Sequence, residues 1–301
     1  MGLLDIIDFV LNLAGLLLWL SWLSLPFDPL ARAVPSTLPG TLRRAAPIRW
    51  SRKHFLGSLA ALLFVRALFY WKVGGAVSWT ARLNLLATSI PFQSDFFRRM
   101  LVYSILSFAL TLALFYLWLM FFVVVNRHSE DPIQKFARQL LGRVGRLPLF
   151  VLLFLPVLIA IVVWMILSRF LGWMQIVPGT SFVIRMEQGA LIGLGSFLTW
   201  KYLIGVVLGL YILNSYIYLG THAVWDFVNL TARRIMQPLR KVPLEIGKVD
   251  FTPVLTILII FLVVGGIERG GHFRVSAREG HGVETITLWP SLADVYRTVS
   301  R

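Results

Sequence analysis

Long uncharged apolar runs alternate with short basic segments along this chain. Residues 9–27, 100–125, 147–168 and 202–221 carry no charge. A helix needs about 20 apolar residues to cross a bilayer, so these runs predict spanning helices. Six spans are expected: 6–25, one beginning near Phe55, 100–125, 147–168, one within 189–220, and 253–267. The third is longer than a bilayer requires and predicts a tilt. Pro156 predicts a kink in the fourth.

The segments between the runs differ in kind. Pro29, Pro35, Pro39, Gly40 and Pro47 break up 28–54, which reads as a loop. Residues 74–97, with Trp79, Asn84 and Pro91, read as an interfacial connector, and 172–188, with Pro178 and Gly179, as a second one. In 133–146, Ile133, Phe136, Ala137, Leu140, Leu141 and Val144 share one helical face, opposite Lys135, Arg138, Arg143 and Arg146. That spacing predicts a basic amphipathic helix lying on the membrane.

Residues 225–266 combine these features. Arg233 and Arg234 precede the proline-punctuated run Gln237-Pro238-Leu239-Arg240-Lys241-Val242-Pro243. Asp250, Thr252 and Pro253 then open the last apolar run. Proline in a first helical turn gives up no intrahelical hydrogen bond, and an acid there suits the helix dipole, so a helix start is predicted. The tail, 268–301, is polar; two short strand-like runs around 279–282 read as a hairpin.

Composition agrees with a membrane protein. Of 301 residues, 57% are hydrophobic and 14% charged, against about 25% charged in soluble domains. The net charge of +15 is placed between apolar runs. That placement favours topology control and contact with anionic lipid over nucleic-acid binding. With no cysteine, disulfides, thiolate metal sites and thioether haem attachment are excluded. Asp5 and Asp8 stand where a signal peptide would carry cations, so the first run reads as a retained span. The loops after spans 1, 3 and 5 hold 6, 5 and 5 Lys+Arg, whereas the connectors after spans 2 and 4 hold 4 and 2. The positive-inside rule then places the odd loops in the cytoplasm and both termini outside, although the tail's five arginines oppose this.

Asp28-Pro29-Leu30, Asp131-Pro132-Ile133 and Gln237-Pro238-Leu239 recur 103 and 106 residues apart. A second proline (Pro47, Pro148, Pro253) follows each by 18, 16 and 15 residues. The expected fold is therefore an all-α polytopic membrane protein of about six transmembrane helices. They form three repeated hairpins around basic, proline-broken cytoplasmic elements. The corresponding divisions are 1–97, 98–188 and 189–267, with the tail at 268–301.

Pro238, Leu239, Arg240, Pro243, Gly247, Asp250, Thr252 and Pro253 follow a two-span motif that resembles the YggT family of bacterial and plastid membrane proteins. Gln237 stands where that motif has an acid. The resemblance covers 211–266, with weaker copies at 115–167 and 10–70. Three units and a tail depart from the one or two units usual there. The resemblance implies a non-enzymatic factor of the bacterial plasma membrane. Its relatives are linked to envelope and division processes, osmotic stress, organelle or nucleoid distribution, and plastid cytochrome assembly.

Other residues carry competing readings. Arg66, deep in span 2, either lines a functional path or pairs with Asp5 or Asp8. Lys201 has the same two readings and is expected near an interface. Asn214 suggests an interhelical hydrogen bond. Gly189/Gly193 and Gly205/Gly209 are GxxxG pairs that favour close helix contact. His54, His128 and His222 adjoin span ends, where headgroup contact outweighs metal or haem ligation. The Asn229-Leu230-Thr231 sequon falls on the side expected to be cytoplasmic and is discounted.

No Walker loop, nucleophile elbow, HExxH or pair of intramembrane acids is present, so neither enzymatic activity nor a cofactor is expected. The expected partners are anionic lipids, together with a membrane-protein partner or a second copy of the chain. Lys135, Arg138, Arg143, Arg146, Arg233, Arg234, Arg240 and Lys241 would supply the contacts. The function expected is a structural or assembly factor. The alternative is a transporter or channel using Arg66, Lys201 and Asn214 at the repeat interface.

Overall fold

A computed structural model describes residues 3–24, 52–77, 79–85, 87–127, 129, 131–217, 223–239, 245–246, 249–275 and 284–300. Its elements begin with α1 (Leu3–Ser24), α2 (Arg52–Ala76), β1 (Thr80–Asn84), β2 (Ser89–Gln93) and α3 (Phe97–Val125). Then come α4 (Pro132–Leu141), a 3₁₀ turn (Val144–Arg146), α5 (Leu149–Trp173), α6 (Phe182–Phe197), α7 (Trp200–Tyr216) and α8 (Ala223–Ile235). The short strands β3 (Glu245–Ile246) and β4 (Val249–Asp250) precede α9 (Thr252–Arg269), β5 (Gly271–Val275), β6 (Glu284–Trp289) and α10 (Leu292–Val299).

Six helical stretches are long and apolar enough to cross a membrane: Leu3–Leu23, Lys53–Ala76, Phe97–Val125, Leu149–Trp173, Phe182–Tyr216 and Thr252–Arg269. Their outer faces expose large apolar side chains such as Phe150, Leu158, Ile166 and Leu262, which water would penalise and lipid accepts. The chain is a helical, multi-pass membrane protein.

The contacts divide it into two compact units, Met1–Leu83 with Pro91–Ala113, and Asn84–Ile90 with Leu114–Arg301. In the first, α1 packs on α2, and Gly15 brings α1 close to α3: a Cβ there would stand 2.8 Å from the Phe108 ring. Tyr103 of α3 meets the rings of Tyr70, Trp79 and Phe92 with centroids 5.9, 6.1 and 5.6 Å apart. The connector expected at 74–97 contains a β-hairpin. Ala81, Leu83 and Phe92 are buried while Thr80 and Arg82 are exposed, the period-2 alternation of a half-buried strand.

In the second unit α5 and α6 pack along their length. A Cβ on Gly189 or Gly193 would stand 2.8 Å from the Cα of Ile161 or Val157, so only glycine permits this approach. Gly205 faces the Phe261 ring across α7 and α9, while Gly209 faces open space. Val207, Leu208, Ala232 and Met236 join α7 to α8, with Ile257 of α9 against them.

The fifth span departs from expectation. Helix starts at Phe182, inside the segment read as a connector, and is interrupted at Leu198 and Thr199. Leu198, Thr199, Lys201 and Tyr202 donate their N–H groups to carbonyls three residues back, a 3₁₀ step. The hydroxyls of Ser196 and Thr199 donate to the carbonyls of Gly193 and Ser196, competing with the α-helical ladder. By contrast, α5 runs unbroken through Pro156.

The start of the last span is as expected: Asp250 Oδ1 accepts the Thr252 N–H at 2.8 Å and Pro253 lies in the first turn. The tail hairpin is present as antiparallel β5 and β6, and is followed by a helix that the polar tail did not suggest. That helix, α10, begins with a capping box between Ser291 and Asp294.

Candidate functional site

The end of α3 organises the site. The last carbonyls of a helix have no intrahelical donor. Here Gln134 Nε2 of α4 donates to the Val123 carbonyl at 3.3 Å, and Arg234 of α8 donates to that of Val125 at 3.2 Å. Arg138 of α4 donates to that of Arg127. Asn126 Nδ2 donates to Thr231 Oγ1 at 2.8 Å, tying α3 to α8. Two amphipathic helices are thus fixed to the end of a spanning helix by its unsatisfied acceptors. The apolar half of α4 adds Ala137 to a core with Leu117, Met120, Val123 and Leu152.

α4 covers Pro132–Leu141 and does not continue to 146 as expected, so Arg143, Val144 and Arg146 leave the helix; its faces differ in two further ways. Gln134 is fully buried because the α3 carbonyl claims it, and Phe136 is 41% exposed although it was assigned to the apolar face. After α4 the chain turns at Gly142, whose φ of +59° is a left-handed conformation. The 3₁₀ turn follows, packing Gly145 onto the Arg138 carbonyl.

This turn folds Arg143 and Arg146 back towards Lys135 and Arg138. With Arg127 they line a cleft of about 790 Å3. Val124, Leu147 and Leu149 supply apolar wall, and among the described residues no acid lines it. Arg127, Lys135, Arg143 and Arg146 are exposed and have no acidic partner among the described residues. α5 begins at the same cleft with no side-chain cap, so the positive end of its dipole adds to the cationic field. α3 and α5, both long and apolar enough to cross a membrane, end and begin at this cleft.

Arg127 is one of the loop cations, and nothing in its own sequence context marks it as a cleft residue beyond its position. It follows the longest uncharged run by one residue, and that position is the signal. Of the other expected contacts, Arg233 is exposed on α8 and Arg234 serves the α3 terminus. Pro238 and Leu239 lie in the turn after α8. Arg240, Lys241, Pro243 and Gly247 lie outside the described residues, as do His128 and His222.

Arg66, Lys201 and Asn214 each meet a polar partner within their own unit. Arg66 is 2% exposed and its Nη2 stands 2.9 Å from Asp8 Oδ1. Its Nη1 donates to Asn12 Oδ1 at 2.6 Å, Tyr70 donates to Asp8 Oδ1 at 2.7 Å, and Ser107 donates to Asp8 Oδ2 at 3.1 Å. α1, α2 and α3 each contribute to this network. Lys201, in the first turn of α7, is buried and bonded to Glu268 in the last turn of α9. Asn214 donates to Asn229 Oδ1 at 3.3 Å, joining α7 to α8 as an interhelical hydrogen bond. Thr231, the hydroxyl residue of the sequon, is fully buried.

Among the described residues, no three His, Asp or Glu side chains gather as a metal site. No protein-family model, curated protein or solved structure matches the chain.

Proposed function

We propose that this protein is a non-enzymatic structural or assembly factor of the bacterial plasma membrane, with its basic elements on the cytoplasmic leaflet, where they gather anionic lipid. The observation that carries this reading is the cleft: five cations from successive segments face one space that no acid lines among the described residues. Each Lys or Arg close to an anionic leaflet contributes about 1 kcal/mol, so together they hold α4 on that surface. The excess of cations in the odd loops favours the cytoplasmic side. The resemblance of 211–266 to the YggT family supports the same role.

The transport alternative draws less support. Arg66 and Lys201 are each buried against an acid of a neighbouring helix. A cation so engaged holds helices together, and it is not free to attract a solute.

Reconstitution tests the reading. The chain in phosphatidylcholine vesicles doped with phosphatidylglycerol should enrich the anionic lipid around itself and pass neither ions nor small solutes. Uniform lipid mixing, or flux that disappears in Arg66→Leu and Lys201→Leu, would overturn it.

A further inference from the structure

Resting on the lipid-gathering reading above, we propose that the cleft between α4, the 3₁₀ turn and α5 binds one lipid whose headgroup carries two phosphates. Charge complementarity selects this occupant. Arg127, Lys135, Arg138, Arg143 and Arg146 converge on the cleft, and among the described residues no carboxylate lines it. A single phosphodiester would leave most of that charge unmatched. Two phosphates neutralise more of it and engage the planar, forked guanidinium donors of several arginines at once.

Size points the same way. About 790 Å3 falls within the range of roughly 300–1,000 Å3 for pockets that hold whole small ligands, and exceeds what one phosphate fills. The site is also partly preformed. Arg138 is half-buried and held by the Arg127 carbonyl, and the uncapped start of α5 adds backbone donors. Basic pockets beside spanning helices are the setting in which bis-phosphate lipid headgroups bind.

The walls argue for a lipid over a free anion. Leu147 and Leu149 line the cleft where α5 begins. One residue further, Phe150 starts an exposed apolar row along α5, continued by Phe154 and Leu158 at one-turn intervals. A headgroup in the cleft thus has acyl-chain surface directly below it.

The test is native mass spectrometry of the full chain in detergent, offered diphosphatidylglycerol, phosphatidylglycerol or phosphatidylcholine. Diphosphatidylglycerol should be retained as one molecule per chain, about tenfold more strongly than phosphatidylglycerol. The triple variant Lys135→Gln, Arg143→Gln, Arg146→Gln should lose that preference. These side chains are exposed, so its melting temperature should match the parent. Arg169→Gln, an exposed cation near the far end of α5, should change nothing. Equal retention of both anionic lipids, each lost in the triple variant, would overturn the two-phosphate assignment while leaving the lipid-gathering role intact. Retention of no anionic lipid above phosphatidylcholine would overturn both. Retention unaffected by the triple variant would remove the lipid from this cleft, and full displacement by soluble pyrophosphate would make the cleft a free-anion site.

Discussion

Arg66 of α2 and Asp8 of α1 form a buried ion pair 2.9 Å long, with the guanidinium side chain 1% exposed and the carboxylate 15%. The pair does not stand alone. Asn12, Tyr70 and Ser107 donate to or accept from it, so three helices share one polar knot inside apolar surroundings.

Removing half of this pair should be worse than removing all of it. Asp8→Leu leaves a buried cation uncompensated and should cost about 3–5 kcal/mol. The double variant Asp8→Leu, Arg66→Leu should regain much of that loss. Unfolding titrations in mixed micelles would measure both, and a double variant as unstable as the sum of the singles would refute the coupling.

The two glycine pairs should respond differently. Gly193→Val pushes a side chain into the Val157 backbone, which stands 2.8 Å from the added Cβ, and should cost about 1–3 kcal/mol or separate α5 from α6. Gly209→Ala meets nothing within 4 Å and should be neutral or stabilising by up to about 1 kcal/mol. Thermal melts of the two variants in the same detergent provide the comparison.

Arg138 and Arg143 line the same cleft yet should divide in their effects. Arg138 also satisfies the Arg127 carbonyl in the turn just after α3, so Arg138→Gln should lower stability by about 1 kcal/mol as well as weakening anionic lipid retention. Arg143→Gln should weaken lipid retention alone, with stability within about 0.5 kcal/mol of the parent. Raising salt should reduce lipid retention in the parent protein, since exposed charges are screened.

Docking of the tail should fail at high pH. Burial pushes the Tyr296 phenol from 10.0 up to about 12, partly offset by a hydrogen bond with Ser300. The neutral phenol is therefore the form that α10 accommodates. Its contribution is complete below about pH 10, the value of the undocked phenol, and is lost as pH rises through about 12. Trp164 reports on this region, because it donates to Gln188, which donates to Ser300. A base-induced change in Trp164 fluorescence should therefore occur in the parent and be absent from Tyr296→Phe.

Much of the architecture was legible along the chain. Span 3 was expected at 100–125 and its helix covers Phe97–Val125; span 6 was expected at 253–267 and its helix covers Thr252–Arg269. Uncharged length decides such elements, because a lipid-exposed backbone must satisfy its own hydrogen bonds. The Asp250 and Pro253 start was readable for a similarly local reason, since capping depends on a few adjacent residues. Span 5 was misplaced at its start because Arg185 and Glu187 interrupt the apolar window, although the helix tolerates both. The hairpin at 80–93 was passed over because proline and polar residues hid its alternation.

The candidate site divides along the same line. From the sequence alone came a basic helix inside 133–146 and the identity of its four cations, although the helix ends at Leu141 and Arg143 and Arg146 lie beyond it. Tertiary structure alone decided that Arg127 joins those four around a common cleft and that Gln134 faces inward. It also decided that Arg66 and Lys201 meet Asp8 and Glu268, residues far from them along the chain. The physical reason is range. Hydrophobic length and helix capping act between neighbours and can be read from spacing, whereas the partner of a buried charge is chosen by helix packing across long separations in sequence.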